Sequence, residues 1–177
     1  MKNNLAVKPI LLAAGVGERL RPFTNVLPKC LMPIDGVPLL EYWLASMHKL
    51  DIHDVLVNVH YRSADVIKFL SRPRFSNWVT YVEESHLLGT AGTIRANQNF
   101  LGDSSCLLVH ADNWCRCDFQ SFLNYHQFDR PSNTSITMMT FTSDNPQSCG
   151  IVETDARGVV ISFHEKVKRP PGNKANA

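Results

Sequence analysis

A run of small residues, Leu12–Gly17, directly follows an apolar segment near the N-terminus. Because small side chains leave the backbone accessible, N–H groups in such a run can approach a phosphate chain closely. Open α/β sheets bind their ligands at such strand ends. Leu20 stands where a dinucleotide fingerprint has its third glycine, and no Gly-Lys-Ser/Thr follows as in a P-loop. The run therefore predicts a phosphate-binding loop of another kind, with a generic glycine turn as the alternative.

Two cationic residues, Arg19 and Lys29, follow this run within a segment that contains Pro22, Pro28 and Pro33. Prolines restrict the backbone and fix the path of the segment. Charges held in this way can neutralise phosphate groups, which predicts a phosphate clamp. A solvated surface charge is the alternative for each of the two residues.

A carboxylate, Asp112, comes two residues after the apolar run Cys106–His110. A carboxylate at the C-terminal edge of a parallel strand is a usual place to hold Mg²⁺. We therefore predict that Asp112 is a magnesium ligand, with a helix N-cap as the alternative. The neighbouring His110 is assigned a structural role.

Strand-like apolar runs alternate with helix-like segments along most of the chain. The five runs are Ile10–Ala14, Val55–Val59, Val79–Val82, Cys106–His110 and Ile136–Phe141. This alternation predicts an α/β fold with a mostly parallel sheet covered by helices.

Four helices are predicted between or after these runs. They cover Pro38–Leu50, Ser63–Leu70, Gly89–Asn97 and Phe119–Phe128. In the last third, Ile151–Glu153 and Val159–Phe163 flank a four-residue turn, which predicts an antiparallel hairpin. The polar, turn-rich end after Lys168 is expected to hold no further element, as in a chain truncated at its C-terminus.

The bulk properties limit the classes of function. A chain of 177 residues fits a single domain over residues 1–177, and a net charge of +2 is too small to indicate nucleic-acid binding. No segment has the pattern of a signal peptide or the length of an apolar membrane span, so neither is expected. Five cysteines, an odd number, favour reduced thiols and a cytoplasmic location. Cys115 and Cys117 are too close in sequence for an ordinary zinc site.

The segments Leu12–Thr24 and Pro28–Pro33 together resemble the signature of sugar-1-phosphate nucleotidylyltransferases. The resemblance implies a Rossmann-like fold of the nucleotide-diphospho-sugar transferase type. It also implies that Arg19 holds the β and γ phosphates of a nucleoside triphosphate and that Lys29 contacts the phosphates at the reacting centre. The backbone implied to wrap the triphosphate belongs to Leu12, Ala13, Ala14, Gly15 and Gly17.

Later segments match the same family in the expected order. Leu88–Thr93 resembles the turn that binds the nucleobase, which implies base contacts by Gly89 and Glu84, although an exposed carboxylate is the alternative for Glu84. Cys149–Glu153 and Phe163–Val167 resemble the sugar-binding segments. They imply that Gly150 and Glu165 contact sugar hydroxyls and that Lys166 contacts the sugar phosphate, with a surface Glu–Lys pair as the alternative. Ala111 and Val167 depart from the family's usual glycine and proline.

The resemblance implies transfer of a nucleotide to a sugar 1-phosphate with release of pyrophosphate, with Mg²⁺ as the cofactor. The details favour GTP and mannose 1-phosphate, as in mannose-1-phosphate guanylyltransferases. Glucose-1-phosphate uridylyl or thymidylyl transfer is the near alternative. Family members usually carry a second metal-binding aspartate beyond the point where this sequence ends. Because no such aspartate is present, a catalytically silent regulatory subunit that binds a nucleotide sugar remains an alternative. An exposed sheet edge would also favour a homo-oligomer.

A plain dinucleotide-binding module is the remaining alternative. Leu20 and the lack of a ribose-binding acid about twenty residues after the glycines count against it.

Overall fold

The computed structural model describes residues 6–176, which form two compact units, residues 6–119 and residues 120–176. The assignment of residues 1–177 to one domain remains a prediction. None of the helices that the structure describes is both long and apolar enough to cross a membrane.

The first unit is built on a four-stranded parallel sheet. In chain order the strands of this unit are β1 (Val7–Leu12), β2 (Pro33–Ile34), β3 (Val37–Pro38), β4 (Val55–Val59), β5 (Val79–Glu83) and β6 (Ser105–His110). Strands β2 and β3 form a separate two-stranded ribbon, and the other four form the parallel sheet. The parallel sheet has the order β5-β4-β1-β6, so β1 and β4 are central. The ribbon pairs β2 with β3 across Asp35 and Gly36, both of which have positive φ, as a two-residue hairpin turn requires.

The central strands are apolar because helices cover the parallel sheet. All five residues of β4 are buried, and Asn58 is the one polar side chain among them. The helices of this unit are α1 (Leu39–Lys49), α2 (Ser63–Leu70), α3 (Gly89–Ala96) and α4 (Gln98–Leu101). Helix α1 buries Leu40, Leu44 and Met47 completely, at the spacing of one helix face. Burial of each contributes about 1.5–3 kcal/mol to folding.

The second unit contains a short helix and an antiparallel sheet. Helix α5 (Phe119–Asn124) begins at the last residue of the first unit and continues as a π-helix over Tyr125–Asp129. The strands are β7 (Thr140–Thr142), β8 (Gly150–Thr154), β9 (Val160–Glu165) and β10 (Lys174–Asn176), in the order β7-β10-β8-β9.

The predicted hairpin is confirmed in β8 and β9. Asp155 stabilises its turn, because Oδ1 accepts hydrogen bonds from the amides of Arg157 and Val159 at 2.9 and 2.8 Å. Gly158 supplies the positive φ of 77°. The mostly parallel sheet and the antiparallel C-terminal third are therefore both as the sequence predicts.

Two expectations about strands are wrong. Of the run Ile136–Phe141, only residues 140 and 141 lie in a strand, and β7 pairs antiparallel with β10 rather than joining the parallel sheet. The polar end was expected to hold no element, yet β10 lies between β7 and β8. Its Ala175 is fully buried, opposite Phe141 and Ile151. A three-residue strand after a Pro-Pro-Gly turn is too short to show the periodicity by which strands are recognised.

Candidate active site

Three predicted site residues of the first unit gather at one edge of the parallel sheet together with Asn58, which was not predicted. Ala13 follows β1, Glu84 follows β5, Asp112 follows β6 by two residues, and Asn58 is the penultimate residue of β4. Because the four strands are parallel, their carboxyl ends share this edge. This is where open α/β sheets bind their ligands.

The small-residue loop after β1 packs tightly against the segment that follows it. Gly17 has φ 66°, and a Cβ atom there would lie 2.9 Å from Thr24 Cγ2 and 3.2 Å from Lys29 Cβ. Thr24 is fully buried, and its hydroxyl donates a 3.1 Å hydrogen bond to the Gly17 carbonyl. Gly17 is therefore required both by its backbone conformation and by the close approach of Thr24.

Lys29 and Asp112, 83 residues apart in sequence, form an ion pair. Lys29 Nζ donates to Asp112 Oδ2 at 2.8 Å, and the two side chains are 23% and 33% exposed. The pair is therefore accessible to a ligand while each partner is held in place. Helix α5 begins only at Phe119, so the alternative that Asp112 is its N-cap is wrong. Arg19 is exposed in the short 3₁₀ helix after Gly17.

The loop that carries Asp112 is fixed on both sides. The indole N–H of Trp43 donates to the Asn113 carbonyl at 2.9 Å, and the Ala111 amide donates to the Leu12 carbonyl at 3.0 Å. Next to Lys29, Cys30 is 2% exposed. Burial, together with the negative charge of Asp112, raises the pKa of its thiol to about 12. Cys30 is therefore a neutral packing residue next to Lys29.

A buried hydrogen-bond network joins the predicted phosphate-binding loop to the predicted base-binding turn. Asn58 Oδ1 accepts from the Ala13 amide at 2.8 Å, and Asn58 Nδ2 donates to Glu84 Oε1 at 3.0 Å. The same Glu84 oxygen accepts from the Thr93 hydroxyl at 2.6 Å. Glu84 Oε2 accepts from the Leu88 amide at 3.2 Å. The structure thus brings together segments separated by up to 80 residues.

Glu84 is buried and ionised. The residue is only 6% exposed. The alternative of an exposed carboxylate is therefore wrong. Burial opposes ionisation, but the hydrogen bonds from Thr93, Asn58 and the Leu88 amide outweigh it and lower the pKa of Glu84. Sequence reasoning missed Asn58 as a site residue. The signal was a single amide within the apolar strand Val55–Val59.

Gly89 opens α3 with a φ of 71°, and a Cβ atom there would meet nothing within 4 Å. Its role is therefore conformational, and the space next to it is open. This arrangement is compatible with the predicted base-binding turn, and the base contact remains a prediction.

The three predicted sugar-binding residues lie together in the second unit. Gly150 pairs with Glu165 across β8 and β9, and a Cβ atom on Gly150 would lie 2.5 Å from both Asn176 Oδ1 and Phe163 Cζ. Lys166 has φ 48°, and its amide donates to the Cys149 carbonyl at 3.1 Å. Lys166 Nζ lies 3.0 Å from Glu165 Oε1, with both side chains more than half exposed. The Glu–Lys surface pair named as the alternative is therefore present, and sugar binding remains a prediction.

The donor set around Asp112 suits a metal ion brought in with phosphates. Within residues 6–176, no three His, Cys, Asp or Glu side chains cluster to hold a metal ion by themselves. Mg²⁺ commonly takes only one or two carboxylates and completes its shell with water and substrate phosphates. A single accessible carboxylate beside the predicted phosphate-binding loop fits that requirement.

The chain matches the model of the Nucleotidyl transferase family over residues 8–177. It therefore belongs to the nucleotidyl transferase family, and the relatives described below confirm the resemblance to sugar-1-phosphate nucleotidylyltransferases.

Curated relatives of known name match nearly the whole chain. A mannose-1-phosphate guanylyltransferase of Mycobacterium tuberculosis is 29% identical over 97% of this chain and 47% of its own length. A glucose-1-phosphate thymidylyltransferase of Streptomyces griseus is 28% identical over 96% of this chain and 47% of its own length. The chain thus spans about half the length of the curated relatives it matches.

The fold is shared with a solved structure from Bacillus anthracis, provisionally assigned as a glucose-1-phosphate thymidylyltransferase and determined with sucrose. The TM-score is 0.82 at 24% identity, over 97% of this chain and 69% of that chain. At this identity the comparison supports the fold alone.

Proposed function

We propose that this chain carries the nucleotide-binding and metal-binding part of a nucleotidyltransferase that joins GTP to mannose 1-phosphate and releases pyrophosphate. The observation that carries the proposal is the Lys29–Asp112 ion pair beside the phosphate-binding loop. The pair supports the proposal because a triphosphate held by Leu12–Gly17 would need both a cation and a carboxylate able to hold a metal ion beside it.

The reaction needs positioning and charge neutralisation more than proton transfer. An oxygen of the sugar phosphate attacks the α-phosphorus, and pyrophosphate leaves from the opposite side. Because the attacking phosphate is already ionised, no general base is required. Arg19 would hold the β and γ phosphates, Lys29 would neutralise charge at the reacting centre, and Lys166 would bind the sugar phosphate. Mg²⁺ held by Asp112 would supply further charge neutralisation.

Guanine is favoured by the resemblance of the chain to mannose-1-phosphate guanylyltransferases. Glu84 would contact the base. Its Oε1 accepts from Asn58 and Thr93, and its Oε2 accepts from the Leu88 amide, which leaves one lone pair for an N–H of the base. Guanine, uracil and thymine each offer such a donor, so the contact with Glu84 does not by itself select the base.

A thymidylyl or uridylyl transfer to glucose 1-phosphate is the second candidate. The Streptomyces griseus relative, a glucose-1-phosphate thymidylyltransferase, covers the same residues at nearly the same identity as the guanylyltransferase. The two reactions share the phosphate clamp and differ in the base and sugar contacts.

A pyrophosphate-release assay with Mg²⁺ tests both candidates. It crosses GTP, UTP, dTTP, ATP and CTP with mannose and glucose 1-phosphates. Release that is fastest with GTP and mannose 1-phosphate supports the proposal, and release that is fastest with dTTP or UTP and glucose 1-phosphate supports the second candidate. No release, with nucleotide binding still seen by calorimetry, would contradict catalysis by this chain and favour a regulatory subunit.

A further inference from the structure

Asn58 is a buried polar residue whose side chain is fully engaged. It is 3% exposed on a strand whose other residues are all valine or leucine. Its Oδ1 accepts one hydrogen bond, from Ala13, and its Nδ2 has two acceptors, Glu84 Oε1 at 3.0 Å and Thr93 Oγ1 at 3.3 Å. Burying an amide among apolar side chains costs free energy unless such bonds are made. The residue is therefore placed where two other segments need its hydrogen bonds.

The strand register explains why Asn58 can reach both segments. In the sheet it lies opposite Leu12 of β1 on one side and opposite Val82 of β5 on the other. Ala13 directly follows Leu12, and Glu84 lies two residues after Val82. One side chain therefore bonds the backbone of the phosphate-binding loop and the carboxylate that holds the Leu88–Thr93 turn.

We propose that Asn58 is a positioning residue that couples the phosphate-binding loop to the nucleobase turn, so that both halves of a nucleotide meet a single preorganised surface. This inference rests on the proposed function, because it assigns the two coupled segments to the phosphates and the base. Asn58 itself touches neither part of the nucleotide and acts through the Ala13 amide and through Glu84.

The hydrogen-bond directions make the coupling specific to an amide facing a carboxylate. In Asn58→Asp, the new carboxylate can still accept from Ala13, but its second oxygen faces Glu84 Oε1 at hydrogen-bond distance and repels it. In Glu84→Gln, either orientation of the new amide turns its N–H₂ toward a donor, the Leu88 amide or Asn58 Nδ2. Each single variant therefore breaks the network.

The double variant Asn58→Asp with Glu84→Gln exchanges donor and acceptor and restores the network. The glutamine oxygen accepts from Leu88, and its amide donates to the new aspartate and to Thr93 Oγ1. The Thr93 hydroxyl then donates to the aspartate. Every bond of the parent has a counterpart in the double variant, so a rescue reports the coupling rather than general stability.

The experiment compares the parent, the two single variants and the double variant. Hydrogen exchange is followed by mass spectrometry in peptides that contain Ala13 and in peptides that cover Leu88–Thr93. The Michaelis constants for nucleotide and sugar phosphate and the turnover number are measured with the nucleotide pair that the pyrophosphate assay selects. Asn77→Asp adds the same charge at an exposed position and is the matched control.

We expect Asn58→Asp to accelerate exchange in both segments and to raise the nucleotide Michaelis constant about tenfold, with turnover and the sugar-phosphate constant changed less than about threefold. The double variant should return both readouts to within about threefold of the parent. The control should match the parent.

Two results would overturn the inference: exchange in the two segments unchanged by Asn58→Asp, or a double variant no better than the single variants. A parent chain that neither binds nor turns over nucleotide would contradict the proposed function instead. In that case the exchange measurements still decide whether Asn58 couples the two segments.

Discussion

Lys29 Nζ donates a 2.8 Å hydrogen bond to Asp112 Oδ2, so a cation of the chain itself contacts the carboxylate proposed to bind Mg²⁺. In the proposed reaction Lys29 contacts the phosphates and Asp112 binds the metal ion. Without a ligand, the ammonium group of Lys29 balances the negative charge of Asp112, and the metal ion that accompanies the nucleotide replaces it. Metal binding and nucleotide binding are therefore expected to support one another.

Replacing Lys29 by methionine should separate these two tasks. Without the competing ammonium group, Asp112 should bind Mn²⁺ at least about threefold more tightly in the absence of nucleotide, because the metal no longer displaces an ion-pair partner. At the same time kcat/KM should fall about 100-fold through loss of a phosphate contact. Paramagnetic resonance of free Mn²⁺ measures the first effect and pyrophosphate release the second.

Lys68→Met is the control for Lys29→Met, since Lys68 is an exposed lysine on α2. It should change neither the Mn²⁺ affinity nor kcat/KM. Asp112→Asn should remove Mn²⁺ binding at this site together with activity. If Mn²⁺ bound equally well to the parent and to Lys29→Met, Lys29 would not compete with the metal ion.

Gly17→Ala should destabilise the chain and weaken nucleotide binding. The new Cβ atom would meet Thr24 Cγ2 at 2.9 Å in a backbone with φ 66°. Strain of this kind costs about 1–3 kcal/mol. Gly36→Ala is a matched control, because its φ of 77° imposes the same conformational cost while its Cβ atom meets nothing within 4 Å. Urea unfolding of both variants measures the difference, and equal losses of stability would show that the contact with Thr24 contributes nothing.

Glu84 should make stability depend on pH in the acid range. Since its pKa is lowered on folding, its contribution is fully present above the usual glutamate pKa of about 4.3 and is lost as the pH falls through the folded value. Glu84→Gln should therefore be about 1–2 kcal/mol less stable than the parent at pH 7. At pH 3 the difference in the free energy of unfolding between the two should be smaller. The free energy of unfolding at both pH values checks this expectation. Glu83 is an exposed neighbour, and Glu83→Gln should differ from the parent in free energy of unfolding by the same amount at both pH values.

The cysteines should react with iodoacetamide in an order set by their surroundings. Hydrogen bonds from Ser143 and Ser148, with Sγ–Oγ distances of 3.4 and 3.6 Å, lower the pKa of Cys149. Cys30 is buried with a pKa of about 12. Because the thiolate is the reactive form, Cys149 should be alkylated faster than Cys30 at pH 7.5. Peptide mass spectrometry over time measures both alkylation rates. Unfolding in urea should make the two rates equal. Similar rates in the folded chain would contradict the predicted difference in thiol reactivity.

Sequence patterns predicted the elements that depend on local periodicity. The strand Val55–Val59 and the helix Ser63–Leu70 are found with the predicted bounds. The strand is a short apolar run, and the helix has its apolar residues Val66, Phe69 and Leu70 at the spacing of one helix face. The sequence also placed the small-residue loop and Asp112 at strand ends, and parallel strands share their carboxyl edge.

The features that sequence could not supply depend on contacts between distant segments. Asn58 binds groups 45, 26 and 35 residues away, and no spacing within its own strand indicates those partners. The burial of Glu84 depends on the same network. Strand β10 exists because Ala175 fits between Phe141 and Ile151, a fact of packing rather than of local propensity.

Trp43 can report on the loop that carries Asp112 through its fluorescence. The residue is 7% exposed, and its indole N–H donates to the carbonyl of Asn113, the residue after Asp112. Tryptophan emission responds to changes in hydrogen bonding and solvent contact at the ring. With Trp78 and Trp114 replaced by phenylalanine, the remaining fluorescence would follow cation exchange at Asp112 in real time, in a chain that carries no dye.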